Sequence, residues 1–108
     1  MIDIEALAEA LEFDVEDVII LIELFVVNAQ VSLANIEDAI ENSDILAIQN
    51  EAHAIKCSAE NLMLVDIQNM ARDMENAVIE NRKINYLSLF SQIEAKIETL
   101  SEVQTSYA

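Results

Sequence analysis

Apolar residues recur along this chain at alternating spacings of three and four, the pattern of helices with one buried face. Ile4, Leu7 and Leu11 mark a short amphipathic segment over Ile4–Phe13. Asp14 then stands as an N-cap, with Glu16 and Asp17 in the first turn, where the helix dipole favours negative charge. From there Val18, Ile22, Phe25, Ala29, Leu33, Ile36 and Ile40 hold helical spacing as far as Asn42. Ser43 or Asp44 caps a third helix, predicted to run to about Leu62 on the stripe Ile45, Ile48, Ala52, Ile55, Ala59 and Leu62. After a turn at Met63–Val65, Asp66 opens a fourth helix to about Asn81, with Ile67, Met70, Met74, Ala77 and Val78 inward. Methionines at this spacing are core filler. Asn81-Arg82-Lys83 is a polar connection to a last helix carrying Tyr86, Phe90, Ile93, Ile97 and Leu100, and beyond Ser101 the pattern fades into a polar tail.

The run VIILIELFVV, Val18–Val27, is the most hydrophobic stretch. Its β-branched residues resemble a buried strand, but no turn signal interrupts the helical series between Asp14 and Asn42. At about ten residues, broken by Glu23, it falls short of the roughly 20 that span a bilayer, and no membrane association is expected. Ile19, Ile20, Val26 and Val27 make this helix apolar on more than one face; the first short helix is the expected cover, a dimer contact the alternative.

Composition narrows the class. The 108 residues are 54% apolar and include no glycine and no proline, which tight strand turns favour. The expectation is all-α: one domain over residues 1–108, an up-and-down antiparallel four-helix bundle with an additional short N-terminal helix. The formal charge is −16, from 21 acids against five bases (Lys56, Arg72, Arg82, Lys83, Lys96). Such a surface repels phosphate backbones, so nucleic acid is not an expected partner. A single cysteine excludes an internal disulfide and suits a reducing cytoplasm, and the acidic N-terminus does not read as a signal peptide.

Candidate chemistry centres on His53, the only histidine. With about 100° per residue, it lies roughly 130° from the mean direction of its helix's apolar stripe, and Cys57 roughly 170°. The imidazole therefore faces solvent. Its helical neighbours are Gln49, Asn50, Lys56, Cys57 and Glu60, among which Lys56 is the one fixed cation, an arrangement suited to holding an anion. By default a lone histidine and a lone lysine are surface residues. His53, Cys57 and Glu60 share a face but are too few for a closed zinc site.

The run His53-Ala54-Ile55-Lys56-Cys57-Ser58-Ala59-Glu60-Asn61-Leu62 resembles the signature of histidine-containing phosphotransfer (HPt) domains, roughly H-x-(hydrophobic)-K-G-S-A-x-N-(hydrophobic). It departs at Cys57, where the family usually has glycine, and at Met63, where a second glycine is common. The resemblance implies a phosphoryl carrier in two-component signalling. His53, through Nε2, would accept a phosphoryl group from one response-regulator receiver aspartate and donate it to another, with Lys56 stabilising phosphate charge. Gln49, Cys57, Ser58, Glu60 and Asn61 would support the helix or meet the partner. The implied partners are receiver domains and a hybrid sensor kinase; no cofactor, bound metal or kinase activity is implied, and a monomer is expected. Two other readings stand beside it. One is a non-catalytic helical adaptor using the apolar surplus of Ile19–Val27. The other is a degenerate HPt fold that binds receivers without transfer, signalled by Cys57 and Met63.

Overall fold

The computed structural model describes residues 3–82 and 84–107, with side chains described for 3–82 and 84–101. Among these are five α-helices and no strand: α1 (Ile4–Leu11), α2 (Val15–Glu41), α3 (Ile45–Asn61), α4 (Val65–Ile79) and α5 (Tyr86–Tyr107).

Polar side chains start three of them. Asp3 Oδ1 accepts from Ala6 N–H at 3.0 Å, Asp44 Oδ1 from Ala47 N–H at 3.2 Å and Asn85 Oδ1 from Ser88 N–H at 3.1 Å. Each satisfies one amide that the helix itself leaves unpaired. Asp14 occupies the N-cap of α2 without a side-chain hydrogen bond, and α4 begins one residue before Asp66, capped by the backbone of Leu64.

The first four helices end alike. Glu12, Ser43, Met63 and Asn81 have φ of 61°, 55°, 57° and 53°, and each lets the next amide reach back into the last turn. Phe13, Asp44, Leu64 and Arg82 N–H donate to the carbonyls of Ala8, Ala39, Ala59 and Ala77 at 3.0, 2.8, 2.9 and 2.9 Å. This is a Schellman ending, which ordinarily uses glycine because a Cβ in the left-handed region costs about 1 kcal/mol or more. The chain has no glycine and makes four such endings with side chains in place. They stop α1 at Leu11 rather than Phe13 and α4 at Ile79 rather than Asn81. Lys83 of the expected connection lies outside the described residues. At the other end, α5 continues past Ser101 to Tyr107. The apolar stripe fades there, but no glycine or proline stops the backbone ladder.

Helix α2 packs on α1, α3 and α5, and α4 on α3 and α5; among the described residues α2 does not pack on α4, nor α3 on α5. The enclosed core is one cluster in which Val18, Ile22, Ile36, Ile48, Ile55, Met74, Ile93, Ile97 and Leu100 are fully buried. Each such side chain contributes about 1.5–3 kcal/mol of hydrophobic stabilisation. Of the positions expected inward on α4, Ile67, Met74 and Ala77 are buried and Met70 and Val78 half-buried; Ala71 and Glu75 are buried as well.

By length and composition alone helix α2 could cross a bilayer, a condition that the core helix of a globular domain meets as well. Its apolar run continues past Asn28 through Ala29, Val31 and Leu33. The surplus apolar residues are only partly covered. Val26 is buried and Ile19 half-buried, but Ile20 and Val27 stay exposed, together with Leu24 and Val31.

Candidate functional site

Helices α3 and α4 form the most extensive helix pair, and small, fully buried residues, Ala52 and Ala59 on α3 and Ala71 on α4, line their inner faces. Close packing leaves two neighbouring side chains on the outer edge of α3, His53 and Lys56, within reach of α4. There they meet one carboxylate. Glu75 Oε2 lies 2.5 Å from His53 Nδ1, and Glu75 Oε1 accepts from Lys56 Nζ at 3.0 Å. The histidine side chain is 55% exposed, that of Lys56 22% and that of Glu75 10%. The base of the cluster is buried and its reactive end is open.

Burial, the largest single influence, pushes the Glu75 carboxyl upward. Hydrogen bonds from Lys56 and His53, with the charges of the same two groups, outweigh it and hold the carboxyl below its ordinary value. Glu75 is therefore ionised at neutral pH and can only accept hydrogen bonds. The proton between it and the ring belongs to His53 Nδ1, and in the neutral imidazole Nε2 then carries the free lone pair. Cys57 Sγ lies 3.4 Å from that nitrogen, one turn along α3, in position to donate its S–H. The arrangement orients a ring nitrogen as a nucleophile, places an anion behind the ring to offset positive charge formed there, and keeps an ammonium with further N–H donors alongside.

The other candidates on α3 stand around this cluster. Glu60 lies about 20° and Gln49 about 40° round the helix from His53, so both border the same face. Asn61 lies about 80° away and Ser58 about 140°, toward the other side of the helix. Glu60, Ser58 and Asn61 are exposed and Gln49 half-buried. Lys56, expected as a free cation beside the imidazole, is already paired with Glu75. Sequence reasoning missed that glutamate. The available signal was an acid on the α4 stripe, four residues after Ala71, next to Met74 and three before Val78, where burial demands a partner.

Two clefts lie elsewhere. One of about 400 Å³ opens between α1 and the facing ends of α4 and α5, and one of about 280 Å³ between the end of α2 and the start of α3. Neither is lined by His53, Lys56 or Glu75. Among the described residues no group of three or more His, Cys, Asp or Glu side chains is arranged to hold a metal ion.

Residues 20–103 match the family model of the Hpt domain. Among solved structures, histidine-containing phosphotransfer protein B (HptB) from Pseudomonas aeruginosa PAO1 superposes with a TM-score of 0.79 at 18% sequence identity, covering 96% of this chain and 88% of that one. The two share a fold. Among curated proteins none matches this chain.

Proposed function

This chain belongs to the Hpt domain family, and on that premise we propose that it relays a phosphoryl group between receiver-domain aspartates, with His53 as the carrier. The observation that carries the reading is the hydrogen bond between His53 Nδ1 and Glu75 Oε2 at 2.5 Å. It fixes the tautomer that leaves Nε2 nucleophilic on an open helix face. The imidazole stands open on that face, outside either cleft, so a partner's phosphoryl group can be met there without a substrate pocket on this chain.

In the transfer, the Nε2 lone pair forms a bond to phosphorus while the bond from phosphorus to the aspartyl oxygen breaks, returning that electron pair to the receiver's carboxylate. The ring keeps its proton on Nδ1 and becomes cationic. Glu75, ionised and desolvated, offsets that charge as it develops, an electrostatic contribution arranged in advance. Lys56 offers its remaining N–H donors to the phosphoryl oxygens. The domain contributes position and charge, and the receiver brings the aspartate and whatever metal its own chemistry uses. Residues 1–108 act here as one unit, read as an antiparallel four-helix bundle with α1 appended. Gln49 and Glu60 border the docking face, Asn61 lies at its edge, and Ser58, exposed on the other side of α3, stands outside it. On this reading the protein works in the cytoplasm, as a monomer that receives its phosphoryl group from a hybrid sensor kinase or its receiver.

Cys57 favours one variant of this reading. Its sulfur stands 3.4 Å from Nε2, where the phosphoryl group must arrive, so it must rotate aside before transfer. A protein in which it does not would bind receivers without accepting phosphate. Incubation with a panel of phosphorylated receiver domains, followed by mass spectrometry, separates the two. An acid-labile, alkali-stable adduct on the wild type and none on His53→Gln is the expected result. Receiver binding without an adduct, relieved by Cys57→Gly, would mark a binding module instead.

A further inference from the structure

The outward face of α2 carries Ile20, Leu24, Val27 and Val31, exposed by 60%, 57%, 57% and 60%. Their spacings of four, three and four residues are those of a coiled-coil seam. At about 100° per residue their mean direction lies about 180° from Val18, Ile22, Phe25, Ala29 and Leu33, so this seam is separate from the face that builds the core. Among the described residues α4, which holds Glu75, does not pack on α2, so none of these four residues belongs to the His53 cluster.

Acidic residues frame it at both ends and along one side. Asp17 and Asp38 close the seam at its two ends, and Glu16, Glu23 and Glu37 run along one flank; all five are exposed. No lysine or arginine occurs in α2, because every base in the chain lies at or beyond Lys56.

A second copy fits this face poorly. Paired in parallel, two α2 helices would set Asp17 on Asp17 and Asp38 on Asp38 across the seam; paired antiparallel, they would oppose the Glu16, Glu23 and Glu37 flanks. Each chain also carries a charge of −16.

We infer that the outer face of α2 is a docking site for a basic amphipathic helix of a partner protein. That helix has an apolar seam about three turns long, matching the ~16 Å from Ile20 to Val31. Lysine or arginine on its flanks meets Glu16, Asp17, Glu23, Glu37 and Asp38. Apolar contact supplies affinity and the acidic frame selects the partner's charge and speeds encounter. The site does not depend on His53 and can be occupied while that residue is engaged.

The test uses the full chain and three synthetic helical peptides of about three heptads: leucine seam with lysine flanks, serine seam with the same lysines, and leucine seam with glutamate flanks. Binding by calorimetry at physiological salt is expected for the first peptide only, one per chain. Leu24→Ser/Val31→Ser should weaken it at least about tenfold, and His53→Gln should leave it unchanged. Both substituted residues are exposed, so an unaltered urea melt is expected to accompany the loss. Equal binding of the serine-seam peptide would reduce the effect to bulk charge and overturn the proposal. So would undiminished binding to the double variant, sedimentation of the wild type as a dimer that the double variant dissolves, or its partition onto phosphatidylcholine vesicles through the same two residues.

Discussion

Replacing Glu75 by glutamine keeps the length of the side chain and one carbonyl acceptor but removes the charge that joins α4 to two groups on α3. Each charge-assisted hydrogen bond contributes about 1.5–3 kcal/mol, against about 1 kcal/mol for a neutral one. The amide can still accept from His53 Nδ1 but leaves Lys56 without its anion. Because the lysine is partly exposed and can turn to water, the net cost is at the low end, about 2 kcal/mol. The pH dependence has a definite sign. Glu75 has a carboxyl pKa lowered from 4.5 in the folded protein, so its contribution is fully present above 4.5 and lost as pH falls through the folded value. Urea melts of wild type and Glu75→Gln should differ by about 2 kcal/mol at pH 7 and converge in the acid range below 4.5. In transfer, exchanging an ionic for a neutral acceptor behind the ring removes about 1.4 kcal/mol of stabilisation from the developing cation, about tenfold in rate. Single-turnover transfer from a phosphorylated receiver measures that directly. Wild-type rate and wild-type stability in Glu75→Gln would refute the role assigned to the carboxylate.

Other substitutions separate the remaining parts. Lys56→Ala should cost about 1–3 kcal/mol at pH 7, because Glu75 keeps only the imidazole, with a smaller loss in acid; equal losses at both pH values would contradict the ion pair. Cys57→Gly should raise the transfer rate severalfold by clearing Nε2, while lowering stability by about 1 kcal/mol through a mid-helix glycine. Both are read from the same kinetics and melts. Met63→Gly and Ser43→Gly should each stabilise by about 0.5–1 kcal/mol, since φ of 57° and 55° places a Cβ where glycine has none; a loss at either position would contradict the strained endings. Ile55→Ala, in contrast, empties a fully buried site and should cost about 2–5 kcal/mol.

Much of the fold was legible because three-and-four spacing is a direct readout of which residues enter the core. Val18 through Ile36, Ile48 through Ala59 and Phe90 through Leu100 are buried as their spacing requires. Boundaries were less legible. Without glycine or proline, the ends at Leu11 and Ile79 are set by left-handed Glu12 and Asn81, residues whose types do not announce that role. Residues 101–107 carry polar residues that suggest a tail, yet nothing among them stops a helix and α5 runs through them. At the site, the outward direction of His53 followed from a single helix, and so did its neighbour Cys57. Glu75 did not, because its meaning lies in the contact between two helices and in the cost of burying an unpaired charge. The exposed seam of α2 was visible as an apolar surplus, but which residues it comprised depended on where α3 and α5 pack.

The most direct test is a long-range proton–nitrogen NMR spectrum of the imidazole before and after incubation with a phosphorylated receiver. The expected result is a free ring protonated on Nδ1, then a single phosphohistidine substituted on Nε2 with the Nδ1 proton retained and its signal shifted in Glu75→Gln. Phosphorylation on Nδ1, or a free ring protonated on Nε2, would contradict it.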